Sequence, residues 1–230
     1  MTFGGAREFA RAFLGALGKD ETIQREIVAA IEETLARYDT GPWENRFVVG
    51  GVVEQVVGSA ARALGLPVNN AGARRQRYDL EIRPGYGVSV KAQFGPYSRS
   101  SRIRLTNSQG GAGEWATGTL FVHTGLGIGY ADRGLAPEAT LVSGDGKSLD
   151  VALIPLLHLW GVEPRPQKGP PPKWLAALGT PDPQPGYFVS LPIPDRPAQA
   201  APRLFSDPTS MDIFSGARTP RLREHFQWSI

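Results

Sequence analysis

Cysteine is missing from this chain of 230 residues, so disulfides and cysteine-based zinc sites are excluded. No apolar run approaches the roughly 18 residues of a membrane span, and the first residues lack the charged-then-apolar order of a secretory leader. A soluble cytoplasmic protein is the simplest expectation. Histidine occurs three times, without paired spacing, which disfavours zinc hydrolysis and HNH-type chemistry. His123 alternates within an apolar strand and His158 lies in an apolar helix, so both read as packed side chains. Lysine is scarce as well, at 5 against 20 arginines, and Lys91 is the one lysine between residues 20 and 146.

What is present supports a folded chain. Apolar residues make up 41% of the composition, enough for a buried core. The net charge of +3 says little, but its distribution says more. Residues 1–45 carry five basic and eight acidic side chains, whereas residues 71–104 carry eight basic and two acidic. Such segregation gives a local positive field that attracts a polyanion, or simply a solvated basic surface. Arginine excess suits bidentate phosphate contacts.

Helical periodicity predicts helices over 6–17, over 21–38 behind an Asp20 cap, and over about 44–64 with Gly65 as the stop. The period then changes to two, which predicts strands at 66–69, 76–82, 88–94, 101–106, 118–124 and 127–132. A helix is expected over 148–160, kinked or ended near Pro155. Twelve of the 20 prolines lie between 161 and 202. The chain therefore divides into an α/β core over 1–160 and a Pro-rich C-terminal extension over 161–230. That extension is expected to be an ordered wrap anchored by Trp174, Tyr187 and Phe188, with a short docked helix in "RLREHFQWSI". "HTGLGIG", residues 123–129, sits between short strands and not before a helix, so a nucleotide-binding loop is discounted.

The segment "RYDLEIRPGYGVSVKAQF", residues 77–94, reads as a hairpin with two unlike faces. Asp79, Glu81, Ser89, Lys91 and Gln93 alternate with Tyr78, Leu80, Ile82, Val88, Val90, Ala92 and Phe94. A turn over 83–87 sets Ile82 against Val88, Glu81 against Ser89, Leu80 against Val90 and Asp79 against Lys91. An odd-length turn keeps the polar residues on one face, and an even one separates them. An ordinary cross-strand ion pair on a water-facing side is the plain reading of such a face.

A second feature argues for more. In the third helix Glu54 lies among Val52, Val53, Val56 and Val57, and its own face carries Phe47, Gly50, Gly51, Val57, Gly58 and Ala61. It points toward whatever the helix packs on, and the glycines are expected to permit close backbone approach. A carboxylate aimed at a packed surface needs a partner, either an arginine such as Arg74 or Arg77 or a cation.

A helix bearing Glu54, a strand bearing Asp79 in "RYDLEI" and a strand ending in "SVK", Ser89 to Lys91, together resemble the PD-(D/E)XK nuclease superfamily, which includes many type II restriction endonucleases. Gln93 fits a variant with glutamine two residues past the lysine. The match covers about residues 44–94 and extends at most through the strands to 132. Two positions depart from the pattern. Tyr78 replaces the proline that often precedes the aspartate, and Ser89 replaces the acid two before the lysine. In Ser-x-Lys enzymes the missing acid is recruited from elsewhere, here Glu54 or Glu81, with Glu54 preferred for its burial.

The resemblance implies a restriction-endonuclease-like core, a central mixed β-sheet flanked by helices. It also implies Mg²⁺ held by Asp79, Glu54 and the Val90 carbonyl, with Lys91 beside the attacking water and the scissile phosphate. Hard oxygen ligands suit that ion. The expected activity is Mg²⁺-dependent cleavage of double-stranded DNA, of a restriction or phage-defence kind, by a homodimer with one site per strand. Arg74, Arg75 and Arg77 on one side, and Arg99, Arg102 and Arg104 on the other, are expected to carry the phosphate backbone. Asn107, Ser108 and Gln109, on a Gly-rich loop, suit base edges or phosphates. Two alternatives stay open: a non-catalytic nucleic-acid-binding protein on a degenerate core, which Ser89 motivates, and an assembly protein whose Pro-rich tail wraps a partner.

Overall fold

The computed structural model describes residues 3–38, 43–71, 78–95, 101–105, 115–142, 149–165, 169–179, 181–194 and 218–227. Three helices open the chain: α1 (Ala6–Leu17), α2 (Glu21–Arg37) and α3 (Trp43–Ala63). Helix α1 buries Phe9, Phe13, Leu14 and Leu17, the side its periodicity marks as apolar. Helix α2 starts where Asp20 accepts the Ile23 amide at 3.0 Å. Helix α3 ends at Gly65, whose φ of 78° lets the Leu66 amide turn back to the Ala61 carbonyl.

A six-stranded mixed sheet follows. Its strands, in spatial order, are β1 (Asn69–Asn70), β2 (Leu80–Arg83), β3 (Tyr86–Gln93), β5 (Thr119–His123), β6 (Gly127–Ala131) and β9 (Phe188–Ser190). All neighbours are antiparallel except β3 and β5, which run parallel. The β5–β6 turn occupies the middle of "HTGLGIG", with Gly125 and Gly127 at positive φ. A second antiparallel sheet contains β4 (Arg102–Leu105), β8 (Leu149–Ala152) and β7 (Thr140–Val142), in that order.

The hairpin register corrects the sequence expectation. Leu80 pairs with Val88, Glu81 with Gly87 and Arg83 with Tyr86, so the loop is the two-residue Pro84-Gly85 turn and not a five-residue one. Pro84 pre-sets the first turn position, and Gly85 supplies the positive φ of 79° at the second. An even loop alone would separate the polar residues, but a bulge between Glu81 and Arg83 adds one residue and restores the parity.

The helix expected over 148–160 is a strand followed by a shorter helix, α4 (Leu153–Leu159). Asp150 takes part in the β4 ladder opposite Arg104, which holds this stretch extended. Pro155 lies in the first turn of α4, where its missing N–H is no loss.

Residues beyond 161 contribute to the same apolar core, through Tyr187, Leu191, Ile193 and Leu222. Phe188 stacks on Trp160 at 5.5 Å. Helix α5 (Lys173–Ala176) brings the Trp174 ring under the Arg102 guanidinium at 4.3 Å. Helix α6 (Pro220–Glu224) docks on α2 and α3. Its first amides, from Arg221 and Leu222, donate to the buried Glu26 carboxylate, and the Arg221 guanidinium grips Asp20 at 2.8 and 3.1 Å.

At the other end of the sheet, Asp132 accepts two bonds from Arg7 at 2.6 Å each, and others from the Tyr130 hydroxyl and the Gly134 and Leu135 amides. Substituting Asp132→Ala leaves these donors without their acceptor. It is expected to lower unfolding free energy by about 3 kcal/mol, read as a reduced urea midpoint at unchanged slope.

Candidate active and metal site

The polar stripe of β3 does not face water along its length. Ser89, Lys91 and Gln93 pair across the sheet with Thr119, Phe121 and His123, all buried. Phe121 in turn meets Trp115 and Trp160. Lys91 therefore lies at the edge of an aromatic-covered face, and its side chain is 26% exposed.

Asp79 sits just before β2. The Val90 amide donates to its Oδ2 at 2.6 Å, and the Lys91 Nζ lies 3.7 Å from the same oxygen. An acceptor of a strand N–H lies near the plane of the sheet, so the carboxylate is open to groups on either face. Within a strand a residue's N–H and C=O share one edge, so the Val90 carbonyl lies on the edge nearest Asp79. Tyr78, in the position of the motif proline, packs over Gly87, where a Cβ would come within 2.3 Å of its ring.

Glu54 reaches this pair from α3. Burial pushes its carboxyl up to about 8; Asp79 pushes in the same direction and Lys91 opposes both. Glu54 thus lies close enough to feel both charges of the Asp79–Lys91 pair. Gly58 allows the close approach expected of it: a Cβ there would come 2.6 Å from the Asn70 side chain. Gly50 and Gly51 do not. Nothing among the described residues lies within 4 Å of where their Cβ atoms would be, so the turn preceding Glu54 borders open space.

Glu81, the alternative acid, is committed to the hairpin. Its Oε1 accepts from the Tyr78 hydroxyl at 3.1 Å and the Gly85 amide at 3.2 Å. Arg102 and Arg104 lie on the second sheet, both exposed, where Arg104 bonds the Asp150 carboxylate at 3.1 Å and Arg102 approaches it at 3.9 Å. Arg74, Arg75, Arg77, Arg99, Asn107, Ser108 and Gln109 lie outside the described residues. His123 is packed, with Nδ1 2.6 Å from the Thr124 carbonyl oxygen.

Sequence reasoning missed Asn70 and Arg62. Asn70 Nδ2 donates to the Glu54 carbonyl at 3.3 Å, and its Oδ1 accepts from Arg62 at 2.9 Å. Arg62 continues to the His225 carbonyl at 2.7 Å, and burial pulls its guanidinium down to about 10. The glycine at position 58, inside a helix, was the available signal that a neighbour fits there.

Among the described residues no group of three or more His, Asp or Glu side chains converges. The donors at hand are two carboxylates and one strand carbonyl, hard oxygens of the type Mg²⁺ takes alongside waters and phosphate. The mutual repulsion of the carboxylates is what a cation relieves, so this donor set fits the ion. No protein family model, no curated protein and no solved structure matches the chain.

In the metal-free protein the folded state keeps a proton on Glu54 that the unfolded chain releases near 4.5. This contribution to stability is whole below that pH and is lost as pH rises to about 8, above which both states are ionised. Urea titrations in chelator should show stability falling across that window, by at most about 1.4 kcal/mol per pH unit. Glu54→Gln should flatten the slope.

Proposed function

We propose that this protein is a Mg²⁺-dependent DNA endonuclease with a restriction-endonuclease-like core, acting in restriction or phage defence. The observation that supports it is the Asp79–Lys91 pair, 3.7 Å apart at the head of the hairpin, with the half-buried Glu54 carboxyl of α3 near enough to feel both charges. Glu54, Asp79 and the Val90 carbonyl are the residues to hold the ion. Bound there, it neutralises charge on the phosphate and acidifies a water. Lys91, tethered beside Asp79, orients the nucleophile and stabilises charge developing on the scissile phosphate. Ser89 and Gln93 flank it on the same face. Cleavage of both strands of a duplex calls for a homodimer, one site per strand.

Ser89 supports a second reading, a nucleic-acid-binding protein on a degenerate core, because the motif's third acid is missing. Plasmid digestion separates the two. With Mg²⁺, the parent protein should nick or linearise supercoiled plasmid, assayed both methylated and unmethylated. Lys91→Ala should lose about a hundredfold or more of that rate while keeping its affinity for the DNA. Salt-sensitive binding by the parent without any Mg²⁺-stimulated cleavage would establish the degenerate core instead.

A further inference from the structure

The hairpin that carries Asp79 and Lys91 ends in a tip that the cleavage chemistry does not use. Among the described residues, Tyr86 is the one large hydrophobic side chain standing in solvent, at 57% exposure. The Arg83 guanidinium lies over its ring at 3.9 Å. Arg83 forms no ion pair with a carboxylate among the described residues, and its buried Nε has no hydrogen-bond partner there. Glu81, two residues before it, accepts from the Gly85 amide and the Tyr78 hydroxyl. The tip therefore carries a half-buried cation that no described carboxylate bonds, backed by an exposed aromatic plane. Beside it opens a cleft of about 640 Å³, lined by Arg62, Asn69, Glu81, Arg83, His225 and Gln227 among others, so that its basic side chains outnumber its one carboxylate.

The pair adds little to the stability of the fold. Exposed cation–π stacking contributes only about 0.5–1 kcal/mol, and an exposed aromatic gains nothing from burial. The chemistry is that of recognition. Arginine is the commonest bidentate donor to guanine, and a tyrosine ring offers apolar contact to a thymine methyl.

Geometry selects the groove. Two paired strands lie about 5 Å apart, so a hairpin with side chains fits a major groove of about 12 Å without deforming the duplex, whereas a minor groove of about 6 Å has to be widened to admit it. From Lys91 to Tyr86 the strand rises about 17 Å, half of the roughly 34 Å of one duplex turn.

We propose that the Arg83–Tyr86 tip enters the major groove of duplex DNA and reads base edges within one helical turn of the phosphate held at Lys91, while the adjacent cleft accommodates the flanking backbone. The inference rests on the nuclease reading and names the substrate contact of that same site.

The test is fluorescence anisotropy of the full chain with a labelled duplex in chelator, so that binding is read without cleavage. Arg83→Ala and Tyr86→Ala should each weaken binding about tenfold. Tyr86→Phe should retain it, and Arg83→Lys should restore it only in part, because a point charge lacks the guanidinium fork. Tyr86 is exposed and Arg83 is half-buried with no side-chain hydrogen bond at Nε to lose, so thermal melts of the variants should stay close to the parent. Methyl green, a major-groove ligand, should compete. Parent affinity in both alanine variants, competition by a minor-groove ligand alone, or a preference for single strands would overturn the proposal. If those results came with intact Mg²⁺-stimulated plasmid cleavage, the nuclease reading would stand. If the parent neither bound nor cut DNA, both would fall.

Discussion

A helix carboxyl that has lost much of its water lies in the field of a strand carboxylate, and the rest of the site follows from that repulsion between Glu54 and Asp79. A proton on Glu54 is one remedy, the Lys91 ammonium is a partial second, and a divalent cation is the third. Natural chains rarely keep such an arrangement for stability alone, since a hydrophobic replacement of similar volume often serves the fold as well or better. The presence of all three groups, contributed by separate elements, is what supports a chemical role.

Holding the repulsion in place requires a rigid support. Glu54 projects from a helix whose turn is fastened through Asn70 and Arg62 to the C-terminal segment. That segment is locked in turn by Arg221 on Asp20 and by Glu26 on the first amides of α6. On the opposite wall, Asp79 is held by a strand amide and not by a flexible side chain. Geometry fixed from both sides in this way is what preorganised catalysis needs.

The sequence announced what depends on local periodicity. The three N-terminal helices end within about one residue of where their apolar spacing, the Asp20 cap and Gly65 place them. The two faces of the hairpin were equally legible, yet its register was not, because a bulge leaves no clear mark in composition. Residues 149–160 are mostly apolar, a pattern that serves a helix or a strand alike. Pairing with β4 decided the outcome, through the Arg104–Asp150 contact, which spans 46 positions. Asn70, Asp132 and Arg62 escaped notice for the same reason. Each has a partner remote in the chain, Glu54 for Asn70, Arg7 for Asp132 and the His225 carbonyl for Arg62, that no short window contains.

The clamp between α3 and α6 has a consequence for vectorial synthesis. Helix α3 leaves the ribosome long before residue 221, which grips the Ala63 carbonyl at 3.2 Å, and before residue 225, whose carbonyl receives Arg62. Throughout the translation of everything between, the helix bearing the acid has its packing partners in α2 but not its fastening. The nascent polypeptide thus holds an immature pocket, and that pocket is completed only when a late-emerging segment returns to the first helices made.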